Sequence, residues 1–448
     1  MNRKAVVLLL GSEEGTGRGP GAGRPFETIL GRPAGAYALE AACRLDPEAV
    51  LVLTGAGGER FRETWEELIK SVATRTPVLL FAGPPRPAVR PLNALAALLT
   101  ARTLLEKYPD RDILVVPSGL PLLQARTLKA FLRAHASKGS SLTFMSRGED
   151  GGLSGVLALR SADAFPLLGG LPATRGMSGF EALTRRLAKA GKAVGLFECP
   201  AAEDTLPLRT AADLSRATAV LRRRKNAALL SKGVTLLDPA SAWIDWAVEI
   251  GPRAVIYPGV VIEGETRIGA DARVYPHVHI VRSRLGARAK VLSSTVMEDC
   301  EVEPDTQVGP FSRLRPKTRV CAGAKVGNFV EMKNTVFGPR SKAQHLSYLG
   351  DSRVEEDVNV GAGTITCNFD GVSKNPTRIG AGAFIGSGTE LVAPVEVGRG
   401  AYVAAGSTIT KNVSAGALAI ARARQVEKPG WVLEKARRRK QDSGGRHP

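Results

Sequence analysis

"IGAGAFIGSGTELVAPVEVGRGAYVAAGSTI" (Ile379–Ile409) decides the fold. A branched aliphatic residue recurs at every sixth position: Ile379, Ile385, Leu391, Val397, Val403 and Ile409. Period six fits neither the 3.6-residue turn of a helix nor the two-residue alternation of a strand. It is the mark of a parallel β-helix built from hexapeptide units. Each unit forms one short side of a triangular coil, its aliphatic residue points inward, and each rung bonds to the next. The same beat runs through Val302, Val308, Leu314, Val320, Val326 and Met332. It also runs through Ile250, Ile256, Ile262, Ile268, Val274 and Ile280, then slips by one at Leu285 before Val291. The prediction is a left-handed β-helix over residues 233–430.

Two stretches interrupt the beat. "FGPRSKAQHLSYLGD" (Phe337–Asp351) carries His345, and "TCNFDGVSKNPTR" (Thr366–Arg378) is an insert between Val360 and Ile379. A prism of stacked coils is a rigid scaffold, so function is expected where it is decorated. The first interruption is expected to be a loop that carries a base out to a cleft. Arg315 and Lys333 are 18 residues apart, one full coil, and each follows an inward residue. They are expected to point outward one above the other, as a phosphate site. Histidine beside such a site suits a general base, and Glu331 is placed to orient its ring. The plainer reading is two surface cations and a hairpin histidine.

Toward the N-terminus the pattern changes. "KAVVLLL", "AVLVLTG" and "DILVVPSG" read as buried strands, and "RETWEELIKSVA" and "TLKAFLRAHASKG" as helices. This alternation predicts an α/β domain over 1–206 with a mostly parallel sheet. A linker helix is expected over 207–232, capped by Thr210 with Asp213 three residues on. Residues 431–448 read as a basic tail.

The net charge of +19 raises the question of nucleic acid. Aromatics make up only 5% of the chain and no nucleic-acid module is visible, so none is expected as a partner. The five scattered cysteines form no CxxC, which argues against a disulfide framework or zinc site and fits a reducing cytoplasm. "AVVLLL" is too short to span a bilayer.

"GPFSRLRP", "VGNFVEMK", "SKAQHLSYLGD", "VNVGAGTITCNFDG", "LVAPVEVG" and "LAIARARQ" together resemble the acetyltransferase half of the bifunctional GlmU family. The resemblance covers about 207–432. It implies acetyl transfer from acetyl-CoA to glucosamine 1-phosphate, in the synthesis of UDP-N-acetylglucosamine for the bacterial cell wall. By matching position it implies His345 as the base, supported by Glu331. It implies Arg315 and Lys333 on the sugar phosphate, with Tyr348, Asn359 and Lys374 lining the sugar site. It assigns Asn368, Phe369, Ala362, Ser387, Ala405, Arg422 and Lys428 to acetyl-CoA. Phe369 stands where the family often has Tyr. The resemblance further implies a homotrimer with sites between subunits, and no metal for this half-reaction.

The resemblance implies that residues 1–206 are a Rossmann-like, nucleotidyltransferase-like α/β domain, the uridylyltransferase half of the family, but the front half departs from that pattern. Gly11, Gly15, Thr16 and Arg18 echo a glycine-rich phosphate loop, but the loop is stretched and Phe26 replaces the expected lysine. The expected metal-binding aspartate falls at Gly119, and the late second contact has become "EDTLPL", where Asp204 is left to meet a cation. Magnesium is expected only if this domain is active. The reading is a retained fold without uridylyl transfer. The alternatives are a fully bifunctional enzyme working with substituted residues, and a non-catalytic scaffold.

Overall fold

The computed structural model describes residues 5–10, 26–54, 58–72, 74–82, 94–148, 151–171 and 178–444. The chain divides into two compact units, one of residues 1–250 and 258–266, the other of 251–257 and 267–448.

The first unit holds a seven-stranded sheet: β1 (Val6–Leu10), β2 (Ala49–Thr54), β3 (Val78–Ala82), β4 (Asp112–Pro117), β5 (Leu142–Ser146), β6 (Leu153–Arg160) and β7 (Val194–Glu198), in the order β3-β2-β1-β4-β6-β5-β7. β1 pairs in parallel with both β2 and β4, and β6 runs antiparallel to both its neighbours. β1 reads as a continuous apolar run because both its faces are covered. Val6, Leu8 and Leu10 enter one core with Leu98 and Phe165, while Val7 and Leu9 enter another with Trp65 and Phe131. The strand order reverses between β1 and β4, so the crevice suited to a ligand lies at their carboxyl ends. The loop after β4 carries Ser118 and Gly119.

The linker helix runs Ala211–Ser231, and Thr210 and Asp213 form the reciprocal capping box. Its Lys225 Nζ donates to the Trp246 and Val248 carbonyls at 2.8 and 2.7 Å.

Beyond it the chain winds into three parallel sheets of eleven, ten and nine short strands. Residues on the beat are buried throughout, from Ile256 to Ile409. The glycines that follow many beat residues sit where the next coil passes close. A Cβ on Gly269 would lie 2.6 Å from the Ala287 nitrogen. Inside the corners, serine and threonine hydroxyls tie one coil to the next, as Thr335 Oγ1 does to the Leu349 carbonyl at 2.9 Å.

The first interruption is not a loop. Residues 337–354 form regular rungs: Lys342–His345, Tyr348–Gly350 and Ser352–Val354. The beat is lost because single residues are missing between Met332 and Phe337 and between Leu349 and Val354, and because Phe337 and Ala343 take inward places usually held by branched aliphatics. The insert after Thr366 does leave the coil. It forms a small excursion closed by an antiparallel bridge from Phe369 to Lys374. The basic tail is helical over Trp431–Gly444.

Candidate active site

The coil stacks Arg315 over Lys333 and adds a third cation. The strands Arg313–Leu314 and Glu331–Lys333 pair with Leu314 opposite Met332, which puts the two outward cations one rung apart. Lys374 reaches in from the insert to hydrogen-bonding range of Lys333. That contact, then the charges of Lys374 and Arg315, hold the Lys333 ammonium below the usual lysine pKa, with Asp351 pulling the other way. Glu331 pairs with Arg315 at 2.8 Å. Two cations from adjacent coils and one from the insert therefore face solvent together, a field that favours a doubly charged anion.

His345 stands at the end of its rung, exposed, at the corner where one sheet turns into the next. It lies in register with Asn328, whose Oδ1 meets its Nδ1 at 2.9 Å. With that amide oxygen as acceptor, Nδ1 carries the proton and Nε2 is left as the basic nitrogen. The partner expected from sequence was Glu331. Within the chain Asn328 holds the ring instead, and the Glu331 carboxylate is taken by Arg315. Asn328 sits one coil below His345, a pairing invisible until the 17-residue coil is known.

Ala362, Ser387, Ala405 and Arg422 follow on successive coils along one edge. Gly388 N donates to Ala362 O at 2.7 Å, Gly406 N to Ser387 O at 2.8 Å, and Arg422 Nη1 to Ala405 O at 2.6 Å. At ~4.8 Å per rung, the three coil steps from Ala362 to Arg422 span ~14 Å. Lys428 lies beyond this ladder, exposed, just before the C-terminal helix. Tyr348 is in register with Glu331, on the sheet of the cations. Asn359 is on a different sheet, between Lys342 and Phe384. Asn368 is buried and Phe369 is exposed at the root of the insert. Gly350 has a steric reason: a Cβ there would collide with the Tyr348 ring and the Asn368 amide.

Residues 376–411 match the family described as Bacterial transferase hexapeptide (six repeats). The chain is 34% identical over 468 residues to the bifunctional protein GlmU of Pelobacter propionicus, covering 96% of this chain and 98% of that one. It is 35% identical over 459 residues to the bifunctional protein GlmU of a Thermus thermophilus strain, with the same coverage. A GlmU of Thermotoga maritima is 48% identical over 215 residues, 48% of each chain. The chain belongs to the GlmU family.

The front-half positions read against GlmU fall out unevenly. Gly11, Gly15, Thr16 and Arg18 lie outside the described residues. Phe26 packs edge-on against Trp65, its ring 5.5 Å away. Gly119 accepts from Leu208 N at 3.0 Å through its carbonyl and offers no carboxylate. Asp204 is not free to meet an added cation. It is fully buried, takes Gln124 Nε2 at 2.9 Å and Thr127 Oγ1 at 2.5 Å, and pairs with Arg224 at 2.8 Å. Its cation is thus an arginine of the linker helix. These two positions do not fit magnesium. Among the described residues no helix is long and apolar enough to cross a membrane.

Proposed function

We propose that the chain transfers the acetyl group of acetyl-CoA to the amine of glucosamine 1-phosphate, in the cytoplasm, giving N-acetylglucosamine 1-phosphate for UDP-N-acetylglucosamine synthesis. The observation that carries this reading is the convergence of Arg315, Lys333 and Lys374 on one outward face. The cations take the sugar phosphate. His345 Nε2 removes a proton from the amine as its nitrogen bonds to the thioester carbonyl carbon. The C–S bond then breaks, and the departing sulfur takes the proton held on the His345 imidazolium and leaves as the free thiol of CoA. Ser387 and neighbouring backbone N–H groups would meet the carbonyl oxygen as it gains charge. Arg422 and Lys428 supply charge for the CoA phosphates.

The working form is a homotrimer with sites between copies. Phe311 and Phe329, near the cation and histidine coils, stack with rings 5.5 Å apart, and both are exposed, as is Leu346 beside His345. Ile420, Val426, Trp431, Val432 and Leu433 are exposed as well. Apolar surface on this scale calls for cover, and a second copy would also shelter the exposed His345.

The front domain does little or no uridylyl transfer, because Gly119 offers no carboxylate and Asp204 is already paired with Arg224. The bifunctional reading is favoured by the end-to-end match to relatives named bifunctional. Two assays on one sample separate them. Thiol release from acetyl-CoA and glucosamine 1-phosphate that vanishes in His345→Ala supports the acetyltransferase. Pyrophosphate release from UTP, magnesium and N-acetylglucosamine 1-phosphate would establish the bifunctional enzyme; no thiol release would sink the main reading.

A further inference from the structure

Asp351 ends the Tyr348–Gly350 rung at a φ of 49°. Its two carboxylate oxygens each accept one side-chain amide: Oδ1 from Asn334 Nδ2 and Oδ2 from Asn368 Nδ2, both at 2.6 Å. Its backbone joins the same neighbours. Asp351 N donates to Lys333 O at 3.0 Å, and Thr377 N donates to Asp351 O at 3.2 Å.

These partners have a common meaning. Asn334 directly follows Lys333. Asn368 stands at the first root of the insert, just past the rung that ends at Cys367, and Thr377 is where the chain re-enters a rung. Asn375 N closes the excursion by donating to Asn368 O at 2.7 Å, and Phe369 bridges to Lys374. One residue thus ties both roots of the insert to the coil that carries Lys333. Hydrogen bonds to an ionised carboxylate are stronger than neutral ones, so this joint is stiff where the rest of the insert is exposed.

We propose that Asp351 is a positioning residue: it fixes the insert so that Lys374 is presented to Lys333 and Arg315, and thereby sets the affinity for the phosphorylated acceptor. This rests on the acetyl-transfer reading above.

The test exploits a rearrangement the geometry permits. Asp351→Asn keeps the shape, and asparagine tolerates the left-handed backbone. The new amide retains one acceptor oxygen, but its NH2 faces another NH2, so one of the two bonds is lost. Adding Asn334→Asp restores both: the amide at 351 donates to the new carboxylate and still accepts from Asn368. Asn334 shares the left-handed backbone, with φ 49°. Both variants are made in the full-length protein and checked for equal thermal unfolding. Steady-state thiol release then gives KM for each substrate, and limited trypsin digestion follows cleavage after Lys374.

Expected is a KM for glucosamine 1-phosphate raised about tenfold in Asp351→Asn, the loss of one charge-assisted bond. Cleavage after Lys374 speeds up, and the double variant recovers both. Unchanged KM and unchanged cleavage in the single variant overturn the proposal. Failure of the double variant to recover also overturns it, since the charge at 351 rather than the tether would then matter. A wild type with no thiol release refutes the acetyl-transfer reading alone; the tether is then judged by the digestion, which needs no activity.

Discussion

Lys374, on an insert, and Lys333, on a rung, meet within hydrogen-bonding reach, two ammonium groups that repel unless an anion lies between them. Such an arrangement costs stability in the free protein, and binding a phosphate relieves it. Lys333→Met and Lys374→Met are each expected to raise the KM for glucosamine 1-phosphate by about tenfold or more, with little change in the KM for acetyl-CoA. Steady-state kinetics with each substrate varied in turn checks this. Loss of affinity for both substrates would show that the cations shape the site as a whole.

The same pair sets a pH dependence. The Lys333 pKa is lowered, first by the contact with Lys374 and then by the charges of Lys374 and Arg315. Its proton therefore leaves below the usual lysine range, and the phosphate site loses charge with it. The KM for glucosamine 1-phosphate should climb on the alkaline side at a lower pH than an isolated lysine would give. In Lys374→Met that rise should move to higher pH, because the neighbour that lowers the pKa is gone. A limb that stays in place after this substitution would contradict the coupling.

Asn328 gives a second test at the base. It accepts from His345 Nδ1 and leaves Nε2 to take the proton. His345→Ala is expected to lower kcat by about 10²–10⁴-fold, the range for a lost general base. Asn328→Ala should lower it less, since the ring remains. Asn328→Asp places a carboxylate on the ring, favours the imidazolium and raises its pKa. The acid limb of the pH profile of kcat/KM should then move to higher pH. A limb that moves the other way, or not at all, would place the base elsewhere.

Much of this was legible in the sequence because a hexapeptide repeat fixes position: one full coil stacks Arg315 on Lys333. The base-holding partner was not. Asn328 and His345 are 17 residues apart, in a coil one residue short of three hexapeptides. The expected loop at 337–351 failed for the same reason. The inward places went to Phe337 and Ala343, which a search for branched aliphatics passes over. In the front half, Asp204 was visible as a carboxylate, but only tertiary structure shows that Arg224, on the next helix, already neutralises it.

Lys225 ties the linker helix to the first coil through two backbone carbonyls, and burial pushes its pKa down to about 8, aided by the charge of Lys232. Between that value and the ordinary 10.5, the unfolded chain holds a proton that the folded one has lost. This residue's contribution to stability therefore rises with pH across that window and is smallest below it. Lys225→Met should flatten the alkaline part of the pH–stability curve, measured as Tm from about pH 7.5 to about 10.5 at constant ionic strength. An unchanged slope would show that the ammonium is not the group that titrates there.

Arg224 and Asp204 supply the last test, of the front half. Asp204 is fully buried, and Arg224 is its charge partner while also donating to Leu122 O at 2.6 Å. Removing the arginine strands a buried carboxylate, and the cost of breaking such a pair is about 3–5 kcal/mol. Arg224→Ala should therefore lower the Tm of the front unit strongly. Asp204→Asn should lower it less, because a neutral amide still accepts from Thr127 and leaves no naked charge. Magnesium should not rescue Arg224→Ala, since Asp204 is fully buried and remains held by Gln124 and Thr127. If magnesium restores its stability, Asp204 does take a metal once the arginine is gone, and the front domain retains more of the family's metal chemistry than the two substituted positions indicate.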